Sequence, residues 1–383
     1  MSARTIIDVH ILQTVPPSNL NRDDTGSPKS AIYGGVRRSR VSSQAWKRAI
    51  RNDFATTMDS SDLGVRTKRL VEIVAESIKA SDPDLADKAL DLATVVLNVA
   101  GLKTKAAKTK PAKTKPAETK DAPDETEALA FLAVGQIEGL ARYAVEVERA
   151  GGKPEAKAAK VRADSAHSID VALFGRMVAS STDLNVDAAC QVAHAISVHP
   201  VDNEFDYFTA VDDRKSGEES VGAGMIGVVE FNSATLYRYA GLDVDLLSAN
   251  LGSAEATVNA VAAFLRSMVT SMPSGKQNTF GNRTLPDAVL VTVREDQPVN
   301  LVGAFEQAVI STSGRVGDAA RRLAQHASQI ADVYDVPAVG TWVVRTAQTD
   351  GHLDTLGETG SLGDVVAAVS QLVGERLGEA AGL

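Results

Sequence analysis

The residues between Asn21 and Arg51 carry the densest chemistry in the chain. From Thr25 to Asn52 there is no acidic residue, and seven basic ones stand there: Lys29, Arg37, Arg38, Arg40, Lys47, Arg48 and Arg51. The whole chain has a formal charge of −9, so this stretch reverses the local sign. A dense cation run in an acidic protein suits a polyanion. Tyr33-Gly34-Gly35 supplies a turn, and Val41-Ser42-Ser43-Gln44-Ala45-Trp46 leads into a helix. Ser42 or Ser43 is a good N-cap, and a helix N-terminus turns backbone N–H groups toward an anion. Lys47 and Arg51, four apart, share one helix face. Serine cap, Gln44 in the first turn and two cations on that face fit a nucleic acid backbone. The bland alternative is a solvated basic face that offsets acids elsewhere.

Other side chains offer less. Asp23-Asp24, beside Arg22, is a carboxylate pair that could act on a 2′-OH or could simply cap its loop. His194 and His199, five apart in a strand-like run, fall on opposite faces and make no metal pair. There is no HExxH motif, cysteine cluster, GxSxG or Walker loop, so no metal, cofactor or catalytic residue is expected. Pro273 to Arg283 is rich in glycine, amides and cations, and its backbone N–H groups with Lys276 could hold phosphate. Lys153, Lys157, Lys160 and Arg162 form a second basic cluster.

The elements that must position these groups follow from pattern. Thr5 to Val15 alternates β-branched residues with others and predicts a strand, ended by Pro16-Pro17. A helix is expected over Ser43 to Phe54. Strand, long loop and helix open an α+β sandwich, the order used by RRM-like sheets. From Ala55 to Asp164 apolar residues recur at helical spacing, giving a helical insertion. Inside it, 102–120 repeats Ala-Lys-Thr-Lys-Pro and cannot bury a core. It reads as a solvated linker, or as a transient phosphate contact. Cys190 to Asp213 and Met225 to Asn232 predict a long hairpin with Phe205, Tyr207 and Phe208 near its tip. Those rings suit base stacking, or core packing, or a neighbouring protein. Helix is expected from Val244 into Met268, strands at Asp287–Arg294 and Thr341–Arg345, and a last helix at Leu362–Leu377.

Composition bounds the rest. At 44% hydrophobic residues the core is ample, and at 4% aromatics it must be aliphatic. A single cysteine, Cys190, excludes an intrachain disulfide and fits a reducing compartment. No apolar run reaches the ~18–20 residues needed to span a membrane. The N-terminus lacks the order of a signal peptide, so a cytoplasmic protein is expected.

Ser18-Asn19-Leu20-Asn21-Arg22-Asp23-Asp24, followed by Lys29 through Ala49, resembles the backbone (CasC-family) subunit of the type I-E CRISPR Cascade complex. A second match runs through Ala193-His194-Ala195-Ile196 and Asp206 to Asp213. The resemblance implies an α+β fold with an RRM-like (ferredoxin-like) palm at 1–54, 166–190 and 225–383. It implies a helical finger insertion at 55–165 and a thumb hairpin at 191–224. It implies a non-enzymatic subunit that binds CRISPR guide RNA and polymerises with copies of itself into a helical filament. Target DNA, other Cascade subunits and a recruited nuclease-helicase would be its further partners in antiviral defence. Guide contacts are expected at Arg22, Lys29, Arg40, Ser42, Gln44, Lys47, Arg51, Arg176, Met177 and Lys276. Tyr207, Phe208 and Thr209 fall at the thumb wedge that flips out a base. Lys153, Lys157 and Lys160 are expected to attract target duplex. The alternative is a metal-independent endoribonuclease processing CRISPR precursor RNA, with His194 or Asp24 acting on the 2′-OH.

Overall fold

Isoleucine and valine at positions 6, 7, 9 and 11 favour extended backbone, and the computed structural model opens with β1 (Ile6–Ser18). The structure describes residues 4–107, 123–210 and 225–381. β1 runs on through Pro16-Pro17, where the sequence predicts its end. Proline cannot donate to a ladder, and the register against the neighbouring strand shifts between Val15 and Ser18 before pairing resumes. Both faces of β1 are buried: Asp8, His10 and Gln13 are wholly inaccessible.

The basic stretch is itself a hairpin, β2 (Ser30–Tyr33) paired with β3 (Val36–Val41), and α1 (Ser43–Thr57) follows. Gly34 and Gly35 turn it at positive φ. Gly34 is constrained twice, because a Cβ there would lie 1.7 Å from the Glu306 carbonyl oxygen.

The chain forms two compact units, Met1–Asp53 with Cys190–Asp245 and Val258–Leu383, and Phe54–Ala189 with Leu246–Thr257. The second unit starts with β4 (Gly64–Thr67), α2 (Leu70–Ser81), α3 (Ala89–Val99), β5 (Thr104–Lys105), β6 (Glu125–Thr126) and β7 (Ala130–Ala133). It continues with α4 (Val134–Arg149), α5 (Ala156–Ala163) and α6 (Ile169–Phe174). Apolar faces of α2, α3 and α4, including Val74, Ile78, Val96, Ile137 and Leu140, close its core. Residues 166–189, expected to return to the sheet, belong to this helical unit. The Asp170 carboxylate accepts the Gly64 N–H at 2.9 Å, and Val171 and Val186 pack with Phe131. Of the lysine-rich segment 102–120, residues 108–120 lie outside the described residues.

The chain goes on with β8 (Cys190–Val192), β9 (Ala195–Ser197), β10 (Glu204–Ala210), β11 (Met225–Asp243), α7 (Val244–Leu251) and α8 (Ala254–Thr270). Gly252, at φ +69°, separates α7 from α8, so the single helix expected there is two. Then come α9 (Gln277–Phe280), β12 (Ala288–Arg294), α10 (Arg315–Tyr334), β13 (Gly340–Arg345), β14 (Glu358–Thr359) and α11 (Leu362–Ala381). Among the described residues one mixed sheet organises the first unit, in the order β14-β13-β12-β1-β11-β9-β3-β2, with β8 and β10 also pairing with β11. Only β13 and β14 are parallel among the named pairs. The architecture is α+β, with β1 at its centre. On one face Leu12, Tyr237, Leu290 and Val343 pack under Ala320 and Leu323 of α10. On the other, Arg238 stacks on Trp46 of α1 at 3.7 Å and donates to the Met268 carbonyl of α8. No helix among the described residues is long and apolar enough to cross a membrane.

Candidate nucleic-acid interface

Asn21 gathers the basic stretch. Its carbonyl accepts the Lys29 N–H at 2.9 Å and its side-chain oxygen accepts the Ser42 N–H at 2.9 Å. Lys29 in turn accepts the Arg40 N–H at 2.9 Å. Lys29 and Arg40 therefore share one crevice with Asn21 and Pro28. Ser42 is the helix N-cap: its carbonyl accepts from Ala45 and Trp46, and its hydroxyl faces the Ala45 N–H at 3.4 Å. It is buried, so its hydroxyl closes the helix instead of facing outward, and Gln44 of the first turn is exposed. Lys47 and Arg51 are half-buried along α1.

The glycine-rich loop joins this site through Gly275. A Cβ at Gly275 would lie 2.2 Å from the Leu20 carbonyl oxygen, so the two backbones touch. Gly275 lines an open depression with Arg22, Asp24 and Gly26. Lys276 holds a left-handed backbone, φ 51°. The hairpin root meets the loop that carries Arg22, Gly26 and Ser27. Asn19 donates to the Gly26 and Glu230 carbonyls, and the Glu230 carboxylate accepts from Ser27 at 2.8 Å and Asn203 at 2.9 Å. The sequence motif hints at Asn19 and Asn21 only as part of a match; their bonding role depends on partners up to 211 residues away.

Several expected contacts are placed elsewhere. Arg38 belongs to the cation run but is buried, donating to the carbonyls of Tyr33, Ser197, Phe305 and Glu306. Burial pulls its pKa down. Arg176 is 4% exposed and spends its guanidinium on Leu184 O, Ala163 O, Gln136 Oε1 and the Asp164 carboxylate. It is a structural strut of the helical unit, not a surface group open to phosphate. Met177, beside it, is 77% exposed and stands on an apolar depression with Leu102, Leu129 and Val178.

The wedge residues do not share a face. In the β10–β11 ribbon Tyr207 pairs with Val228, Phe208 with Gly227 and Thr209 with Ile226. Tyr207 and Thr209 thus leave through one face and Phe208 through the other. Phe205 and Tyr207 are exposed alongside Val228. The expected thumb tip, 211–224, lies outside the described residues. Lys153 and Lys157 are exposed near α5, whereas Lys160 is held by Asp183 at 2.6 Å.

Of the groups that could have done chemistry, Asp23, His194 and His199 have hydrogen-bond partners. Asp23 Oδ1 accepts from the Thr25 hydroxyl, the Thr25 N–H and the Ser27 N–H. The Thr25 hydroxyl foremost, with those N–H groups, holds its carboxyl below the usual range. His194 is exposed, with Nδ1 3.1 Å from Arg40 Nη1. Desolvation and the Arg40 and Lys29 charges push its pKa down. His199 accepts the Thr235 N–H at Nε2 and donates from Nδ1 to the Pro200 carbonyl, and burial lowers its pKa to about 4. Burial pushes the Cys190 thiol up to about 12. Among the described residues no group of His, Cys, Asp or Glu could hold a metal ion.

Residues 7–368 match the model of a family described as CT1975-like protein. No curated protein matches the chain. A solved structure titled "CRISPR RNA-guided surveillance complex, pre-nicking" is similar at 35% identity and a TM-score of 0.82, over 95% of this chain and 99% of that one. A second, titled "CRISPR RNA-guided surveillance complex", is similar at 31% identity and a TM-score of 0.69, with the same coverage.

Proposed function

The chain belongs to the CT1975-like protein family, and from that premise we propose that it is a subunit of a CRISPR RNA-guided surveillance complex. In this reading it is the RNA-binding backbone subunit of a type I-E Cascade. Copies polymerise along the guide RNA in the cytoplasm and present it for pairing with target DNA. The protein reads backbone and shape, and base pairing reads sequence. The other Cascade subunits and a nuclease-helicase act on the assembled filament.

One observation carries the reading. Asn21 bonds to the Lys29 and Ser42 main chains, Lys29 and Arg40 line one crevice, and the Gly275 contact brings the backbone next to Lys276 against the Leu20 backbone near Arg22. The β10–β11 ribbon, on which Phe205 and Tyr207 are exposed, is bonded at Glu230 to Ser27 of the loop that follows Arg22. Cations for phosphates next to stacking surfaces for bases is the arrangement single-stranded RNA binding needs. The subunit is proposed to be non-catalytic: Asp23 is engaged in its own loop and His194 with Arg40, and the assay below tests Asp24.

The test runs purified protein with end-labelled single-stranded RNA on native and denaturing gels. Stepwise shifted bands with intact RNA are expected. Shortened RNA that depends on Asp24 or His194 would replace this reading with an endoribonuclease.

A further inference from the structure

Arginine keeps its proton at any pH a folded protein meets. The 3.1 Å approach of Arg40 Nη1 to His194 Nδ1 therefore has one polarity: Arg40 donates and the imidazole accepts. An accepting Nδ1 requires a neutral ring with its proton on Nε2. Arg40 Nε is fixed as well, donating to the Ser30 carbonyl at 3.1 Å, and its main chain is bonded to Lys29 and paired with Ile196 of β9. Two nitrogens of the fork are thus tied down, which orients the flexible side chain before any anion arrives.

We propose that His194 is a positioning residue for RNA binding, acting through Arg40. This rests on the reading above that the crevice holds guide RNA. The charged groups facing His194 are Arg40 from β3 and Lys29 from the segment ahead of β2. With two cations as neighbours the imidazole stays a neutral acceptor, and Arg40 presents its remaining N–H groups to a phosphate at reduced entropic cost. The same bond leaves Nε2 carrying a proton. His194 then has no free lone pair with which to act as a general base.

Glutamine can accept from Arg40 through its amide oxygen, and alanine cannot. The experiment compares the unsubstituted protein, His194→Gln and His194→Ala in binding single-stranded RNA at pH 7.5 and fixed salt. Imidazole ¹⁵N spectra are recorded for the unsubstituted protein and for Arg40→Ala. The alanine variant should bind about 5-fold more weakly, the worth of one net hydrogen bond, and the glutamine variant should regain most of it. The ¹⁵N signals should give an Nε2-protonated ring whose Nδ1 resonance moves on Arg40→Ala. Equal affinities for the three proteins, or an Nδ1-protonated ring, would overturn the proposal. No binding by the unsubstituted protein would instead overturn the reading it rests on.

Discussion

Tyr207 and Phe208 are consecutive in β10 and leave it through opposite faces: Tyr207 stands beside Val228, while Phe208 lies over Gly227. A Cβ at Gly227 would come within 2.3 Å of the Phe208 ring. Phe208 therefore uses the empty space above a glycine to hold the ribbon, and Tyr207, 61% exposed, is the more open of these two rings. Gly227→Val should lower hydrogen-exchange protection over residues 204–210. Tyr207→Ala should leave that protection unchanged and weaken single-stranded RNA binding about 10-fold, within the range for one stacked base. The opposite assignment of effects would show that Phe208 is the contact ring.

Arg38 and Arg40 are two residues apart and do different work. Arg38 satisfies four backbone carbonyls from inside the fold, so Arg38→Ala leaves buried acceptors behind. It should cost about 3 kcal/mol of stability in urea denaturation. Arg40→Ala should leave the urea midpoint nearly unchanged and reduce the salt dependence of RNA affinity by about one charge. Equal loss of stability in both variants would contradict this division.

Asn21→Ala removes the acceptor for the Ser42 N–H at a buried helix start. An orphaned buried donor costs about 1–3 kcal/mol. Asn21→Asp keeps an acceptor and should recover most of that loss. Thermal melts of the two variants decide it: similar Tm values would mean that water replaces the bond.

These residues also mark how far the sequence could be read. The cation run, the Gly-Gly turn, the capped α1 and the pairing of the ribbon are legible because their causes are local: charge, positive φ, side-chain capping and β-branched alternation. The fates of Arg38 and Arg176 are not. Arg38 meets carbonyls 159 and 267 residues away, and nothing local separates it from Arg37 or Arg40. Residues 166–189 contain apolar groups that would serve a sheet or a helical unit equally, and the Asp170 bond to Gly64, 106 residues back, commits them to the second. The end predicted for β1 at Pro16-Pro17 overlooked that a shifted register can absorb two missing donors.

The buried centre of β1 predicts an unusual pH dependence. Asp8 is wholly inaccessible, and burial raises its pKa from 3.8 to about 6. Hydrogen bonds from Tyr239 at 2.7 Å and Val299 at 3.1 Å, and Arg294 at 3.0 Å, offset that only in part. A carboxyl whose folded pKa is raised binds its proton more tightly in the folded chain than in the unfolded one. Its contribution is complete below the unfolded pKa, falls as pH rises, and is gone above the folded pKa. Between pH 4 and 6 the protein should lose about 2 kcal/mol relative to Asp8→Asn, which cannot titrate. Carboxylates held low by arginine or hydroxyl partners, such as Asp82 and Asp364, act in the opposite sense at lower pH and are common to both proteins. Urea denaturation of the pair at pH 4, 5, 6 and 7 measures the difference. A constant gap across that range would mean that Arg294 keeps Asp8 ionised throughout, and that the ion pair, not the desolvation, governs the centre of the sheet.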